Sequence, residues 1–223
     1  MFILPSAYAS DDCVILLHGL ARTKKSMRKM ERTLTARGYD VVNDGYKSRK
    51  DRVEALAEEY IPLAIEKCQR KHPRKIHFVT HSMGGILVRS YFAKHELANL
   101  GRVVMLSPPN KGSEAVDKLS HVPGWKLING TAGEQLNTSE DSLPLSLGPA
   151  NFEVGIITGN KSVNLFLSTL IPGKDDGKVS IDSARLEGMT DFQVVEHSHP
   201  FIMQKDDVIG QTIHFLEYGT FEK

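Results

Sequence analysis

The sequence predicts an α/β protein: a mostly parallel sheet of about six strands, helices on both faces, and a short inserted cap. Apolar runs of strand length alternate with helix-period patterns along the whole chain. Two strand–turn–helix units follow one another directly between residues 76 and 109. At 223 residues and 40% hydrophobic content, the material suffices for one core, so residues 1–223 are read as a single domain.

Each element follows in order. Cys13 to Leu17 is a buried strand, Lys25 to Arg37 a helix closed by Gly38, and Tyr39 to Asn43 the next strand. From Arg52 to Arg70 apolar residues recur at three-four spacing, from Val53 through Leu56, Ile61 and Ala64 to Cys68, which is the stripe of a helix with one buried face. Pro62 is expected to kink it. Ile76 to Thr80 is a strand, Met83 to His95 a helix, and Val103 to Leu106 a strand running into Ser107-Pro108-Pro109. Phe152 to Thr158 and Phe192 to Val195 complete six strands, and Asp207 to Leu216 is a final helix. Between Asn110 and Asn151 the alternation fails, and a loop that long inside a compact domain is usually functional. The segment 112–149 is therefore read as a cap or lid inserted where ligands bind in such sheets.

The even charge balance, 28 basic against 27 acidic residues, speaks against a nucleic-acid partner. Basic residues gather from Arg22 to Arg37 and from Lys47 to Arg52, on helix or loop, and read as solvated faces. No apolar stretch approaches the roughly 18 residues of a membrane helix, so no transmembrane segment is expected. Phe2 to Ala9 resembles the tail of a secretion signal without its charged front, which leaves a cytoplasmic and an exported location both open. Cys13 and Cys68 are too few for a zinc site; two free thiols are the default. The helix ending near Cys68 must nonetheless cross the strand that begins at Cys13, so a disulfide away from the site is topologically feasible. No paired His or Cys at ligand spacing is read near the candidate site residues Ser82, Asp176 and His199, and neither metal nor cofactor is expected.

The chemistry centres on Thr80-His81-Ser82-Met83-Gly84-Gly85, which leaves a strand and opens a helix. A tight turn in that position presents a serine hydroxyl above the sheet edge, and the helix then passes so close that its neighbours must be small. Thr80 departs from the usual pattern, which has glycine two residues before the serine. A serine hydroxyl needs a histidine to take its proton and a carboxylate to hold that histidine's tautomer, and the chain order in this arrangement is serine, acid, histidine. Asp176 precedes Gly177, which permits a sharp inward turn, and is preferred to Asp175 and Asp182. His199 stands well into the loop after the last strand and is preferred to His197. Attack on an ester leaves charge on the carbonyl oxygen, which the backbone N–H groups of Leu20 and Met83 are placed to receive. His18 is assigned to orienting the loop and contacting substrate, and Trp125 to walling the pocket.

Together His18-Gly19-Leu20, the segment Thr80 to Gly85, Asp176-Gly177 and His199 resemble bacterial lipases and esterases of the α/β-hydrolase superfamily, over about Val14 to Leu216. Ser107-Pro108-Pro109-Asn110-Lys111-Gly112-Ser113 is similar to the segment that follows the next strand in such lipases. The resemblance implies a core lacking the first two strands of larger members and a small-molecule ester or lipid substrate. Acyl transfer on the same three residues is the alternative, separable by product analysis with added alcohols. A non-catalytic binder on a hydrolase scaffold is the third reading, and the full set Ser82, Asp176 and His199 weighs against it.

Overall fold

A computed structural model of the chain describes residues 11–163 and 171–223. The signal-like stretch 2–9 lies outside them. The expected α/β architecture is present: β1 (Cys13–Leu17), β2 (Asp40–Val42), β3 (Ile76–His81), β4 (Leu100–Leu106), β5 (Val154–Gly159) and β6 (Asp191–Val195) form one parallel sheet in the order β2-β1-β3-β4-β5-β6. The helices are α1 (Arg28–Ala36), α2 (Val53–Gln69), α3 (Met83–Phe92), α4 (Glu114–Leu119), α5 (Trp125–Glu134), α6 (Leu143–Ser146), α7 (Ile181–Ala184) and α8 (Asp206–Tyr218). A 3-10 turn, Lys24–Met27, precedes α1, where the sequence predicts one continuous helix.

Successive residues of a strand face opposite sides, so the sheet makes two cores. Ile15, Leu17, Phe78, Met105 and Ile156 pack with α2 and α3 through Leu56, Ile61 and Ile86. Val14, Leu16, Val79, Leu106 and Ile157 pack with α1 and α8 through Met30, Leu34, Ile213 and Phe215. Helices thus cover both faces, which is why the central strands β1 and β3 read as unbroken apolar runs rather than alternating ones. The strand order reverses between β1 and β3, and the crevice at the carboxyl ends of those two strands is where such sheets bind ligands.

Two expectations need correction. Pro62 lies inside α2, which runs from Val53 to Gln69. Cys13 and Cys68 are joined in a disulfide, with Cα atoms 5.7 Å apart, rather than being free thiols. It ties the start of β1 to the end of α2, at the sheet edge opposite the crevice. Residues 112–149 are not a bare loop: they carry α4, α5 and α6, short helices that the long-period pattern conceals. Within α5, Gly130 has φ 66°, and a Cβ there would collide with the Arg49 carbonyl oxygen, so only glycine lets the segment lie this close to the β2–α2 connection. Arg89 fastens the other end: its buried guanidinium donates to the Asn110 carbonyl at 3.0 Å, Pro144 at 2.9 Å and Gly148 at 2.8 Å. With only neutral acceptors around it, desolvation pushes Arg89 down to about 10.

Candidate active site

β3 delivers Ser82 into the crevice. Its backbone sits at φ 53° and ψ −125°, a conformation that costs a non-glycine residue of order 1–3 kcal/mol and persists where the surroundings enforce it. The enforcement is visible: Ser82 N–H donates to the Leu106 carbonyl at 2.8 Å, and α3 begins at the next residue. At Gly84 a Cβ would stand 2.6 Å from the Leu17 carbonyl, so α3 passes the end of β1 at a distance only glycine allows. The small residue facing the serine comes from the β1 loop: a Cβ on Gly19 would meet Ser82 Cβ at 3.0 Å and His81 Nδ1 at 2.9 Å. That explains why Thr80 can replace the expected glycine. It is a buried strand residue paired with Leu17 and Met105, and the close approach is made elsewhere.

The structure brings Ser82, His199 and Asp176 together. His199 Nε2 lies 3.0 Å from Ser82 Oγ, and His199 Nδ1 lies 2.8 Å from Asp176 Oδ2. Asp176 Oδ1 accepts N–H bonds from Lys178 and Val179, both at 3.0 Å, and the Asp176 carbonyl accepts the His199 N–H at 2.9 Å. Burial alone would raise the Asp176 carboxyl. The charge and hydrogen bond of His199 outweigh it, helped by the Val179 N–H and by Ser107, whose hydroxyl lies beside the carboxylate without reaching hydrogen-bond geometry, so the carboxyl is held below its ordinary value. The group is therefore ionised at neutral pH. With the carboxylate on Nδ1–H, Nε2 is left bare to accept the serine proton.

The competing residues are spent elsewhere. His197 Nε2 pairs with Asp207 at 2.7 Å on the surface. Asp175 Oδ1 accepts the Gly177 N–H at 2.6 Å, and Asp182 lies in α7. β5 ends at Gly159, so Asp176 is carried by a long β5–β6 connection and not by the end of a strand. That connection is anchored by Glu114 of α4, which accepts the Ser180 hydroxyl at 2.8 Å and the Ser183 hydroxyl at 2.7 Å.

The Leu20 N–H has no acceptor among the described residues. Met83 opens α3, where a first-turn N–H has no partner within the helix. Both are free to receive charge. His18 is buried in the loop that carries Leu20: its ring stacks on Tyr46 at 4.3 Å, Nδ1 donates to the Gly19 carbonyl at 2.9 Å and Nε2 accepts the Tyr46 N–H at 3.2 Å. Burial lowers its pKa and keeps it neutral. The Tyr46 hydroxyl in turn donates to the His18 carbonyl. Trp125 starts α5 and packs against the α2–α3 core, with its indole Nε1 buried and unpartnered among the described residues.

Sequence reasoning passed over His81. It is buried beside the serine, its Nε2 lies 3.0 Å from the His199 carbonyl, and burial followed by the charge of His199 drives its pKa well down. A neutral ring donating Nε2–H therefore holds the backbone of the candidate base. Ser107, Glu114 and Tyr46 were likewise invisible as site residues, because each acts through a contact distant in sequence. Among the described residues no cluster of three or more His, Cys, Asp or Glu could hold a metal, and no helix is long and apolar enough to cross a membrane.

Comparison with known proteins fits this geometry. The family model for palmitoyl protein thioesterase matches residues 13–146. Among solved structures the chain is similar to the mature form of a Bacillus licheniformis lipase, at 18% identity and TM-score 0.71 over 92% of this chain and 91% of that one. It is also similar to the phospholipase PlaB of Legionella pneumophila, at 18% identity and TM-score 0.63 over 78% of this chain and 45% of that one. A lipase-esterase related protein from Clostridium acetobutylicum aligns at 15% identity and TM-score 0.52 over 93% of this chain and 95% of that one. At such identities the likeness is one of fold, the α/β-hydrolase fold of lipases and esterases. No curated protein matches the sequence.

Proposed function

The chain belongs to the palmitoyl protein thioesterase family of α/β-hydrolases, and on that premise we propose that it is a serine hydrolase cleaving carboxylic esters of short to medium acyl chain through an acyl-Ser82 intermediate. The observation that carries the reading is the unbroken run of hydrogen bonds from Ser82 Oγ through His199 to Asp176. His199 Nε2 takes the hydroxyl proton as Oγ attacks the carbonyl carbon. The carbonyl oxygen becomes an oxyanion facing the Leu20 and Met83 N–H groups, each worth roughly 3–4 kcal/mol to the transition state. The imidazolium, stabilised by Asp176, gives its proton to the departing alcohol. A water then attacks the acyl-serine with His199 again as base, and the acid leaves with Ser82 restored. The same steps serve a thioester, with a thiol as the leaving group, and the family's name extends the reading to that bond.

Residues 112–149 are proposed to cap the site. Leu127 is 86% and Ile128 60% exposed on α5, while Trp125 on the same helix packs inward, the two-sided character of a segment covering a pocket. Binding gains about 0.8 kcal/mol per buried methylene until the pocket is full. A short cap then favours short to medium acyl chains, with Trp125 as a wall. The test is kcat/KM along p-nitrophenyl esters of graded chain length for wild type, Ser82→Ala and Trp125→Ala. Loss of turnover by several orders of magnitude in Ser82→Ala supports the reading, and wild-type turnover in it overturns the reading. A monotonic rise to the longest chains, or a profile unmoved by Trp125→Ala, removes the cap proposal alone.

A further inference from the structure

Adjacent residues at the end of β3 grip His199 at two points. Ser82 Oγ stands 3.0 Å from the ring at Nε2, and His81, one residue earlier, places its own Nε2 3.0 Å from the His199 carbonyl. The two imidazole rings lie with centroids 4.9 Å apart. A circuit that leaves the hydroxyl, crosses the base, returns through its backbone to His81 and ends along one peptide bond is closed by residues 81, 82 and 199 alone. So short a circuit leaves the hydroxyl and the base little freedom to drift apart, and reacting groups need placement within about 0.5 Å.

The grip matters because the other supports of His199 are loops. β6 ends at Val195, so His199 stands in the connection that precedes the 3-10 turn Ile202–Gln204. Its N–H donates to the Asp176 carbonyl at 2.9 Å and its Nδ1 faces the Asp176 carboxylate, but Asp176 rides on the long connection after β5. His81 belongs to the sheet itself: it pairs with Leu106 of β4 and is 1% exposed. Among the described residues, it supplies the hydrogen bond that ties the His199 backbone to a strand.

A carbonyl only accepts, so His81 Nε2 carries the proton and Nδ1 is bare. Nδ1 is buried with no partner among the described residues, and a Cβ on Gly19 would stand 2.9 Å from it. The ring is thus enclosed between the base and the loop that carries Leu20, where a second N–H would find no acceptor. A cation 4.9 Å from His199 would oppose the imidazolium that forms as the base takes the serine proton, and a neutral donor does not. We propose that His81 is a positioning residue of the reaction: its Nε2–H fastens the backbone of the base to the elbow that carries the nucleophile, so that Ser82 and His199 keep their register through acylation and deacylation. The proposal rests on the hydrolase reading above and adds to it a residue that touches no substrate.

The experiment compares wild type with His81→Gln, His81→Asn and His81→Leu in the hydrolysis of p-nitrophenyl butyrate. Glutamine can bring an amide N–H to the place of Nε2, asparagine is one methylene too short, and leucine has no donor. His81→Leu and His81→Asn are expected to lose about 10²-fold in kcat, the cost of an ångström of misplacement, with KM changed less than about threefold. His81→Gln should return to within about fivefold of wild type. Proton NMR gives a readout independent of turnover. The downfield Nδ1–H resonance of His199 on Asp176 should stay sharp in wild type and His81→Gln, and broaden or vanish in the other two. Circular dichroism checks each fold, and His81→Asn against His81→Gln decides if His81→Leu does not fold. Wild-type kcat in His81→Asn overturns the proposal and leaves the hydrolase reading intact. A loss in His81→Gln as deep as in His81→Asn does the same, because the donor is then not the cause. Should wild type cleave no ester, the hydrolase reading falls and the resonance decides. Its loss in His81→Asn with retention in His81→Gln supports the tie between His81 and the base, and an unchanged resonance in His81→Asn overturns it.

Discussion

Replacing Asp176 by asparagine isolates the part of the site that sets a tautomer. The side chains match in size, so packing is preserved, and the two backbone donors fix the new amide's orientation. Asp176 Oδ1 accepts from Lys178 N and Val179 N, both at 3.0 Å. The substituted side chain must keep its oxygen there, because turning the NH2 toward two buried N–H groups would strand both at about 1–3 kcal/mol each. The NH2 then faces His199 Nδ1 at the place where Oδ2 now sits, 2.8 Å away. His199 answers by moving its proton to Nε2, which points at Ser82 Oγ and can no longer accept from it. A wrong tautomer of this kind lowers kcat by about 10⁴, or roughly 5.5 kcal/mol in barrier height. The assay is steady-state hydrolysis of p-nitrophenyl butyrate by Asp176→Asn, with active sites counted and thermal unfolding checked. A folded variant with less than tenfold loss would refute the tautomer argument.

Two further predictions concern stability. His18, His77 and His81 are all held below their ordinary 6.5, each chiefly by burial. The unfolded chain therefore binds protons there that the native state refuses, so their contribution is full above pH 6.5 and is lost as pH falls toward the native values. The urea midpoint should drop between pH 7.5 and pH 5.5, and a constant or rising midpoint contradicts this. Opening the Cys13–Cys68 link, which spans a sequence separation of 55, should lower unfolding free energy by about 4 kcal/mol on the chain-entropy model. Paired Cys13→Ala/Cys68→Ala protein, compared by urea denaturation, should show that loss while retaining turnover at 25 °C, since the link lies at the edge away from Ser82. An unchanged midpoint would deny the link its role.

The sheet was legible because its strands and helices are marked by local chemistry. Cys13 to Leu17 and Ile76 to His81 are buried throughout, Gly38 follows α1, and Gly84 and Gly85 sit where a helix must touch a strand. Ser82, Asp176 and His199 could be chosen from the same local cues plus chain order. Residues 112–149 were harder. Their helices are as short as four residues in α6, and α5 contains a non-helical glycine, so no three-four stripe runs long enough to be recognised. What stayed hidden altogether was pairing at a distance: Glu114 with Ser180 and Ser183, His81 with the His199 carbonyl, and Arg89 with Pro144 and Gly148. Nothing within a few residues of any of these announces its partner.

The proposed role of Ser82 is tested most directly by reaction of the native protein with a fluorophosphonate probe, followed by peptide mass spectrometry. Only a serine activated by a neighbouring base reacts readily with such a phosphorus centre. One adduct per chain is expected, on the peptide bearing His81-Ser82-Met83, absent from Ser82→Ala and strongly slowed in His199→Ala, with His197→Ala labelled like wild type. An adduct on another residue, or labelling that persists in Ser82→Ala, would contradict the assignment of Ser82 as the nucleophile.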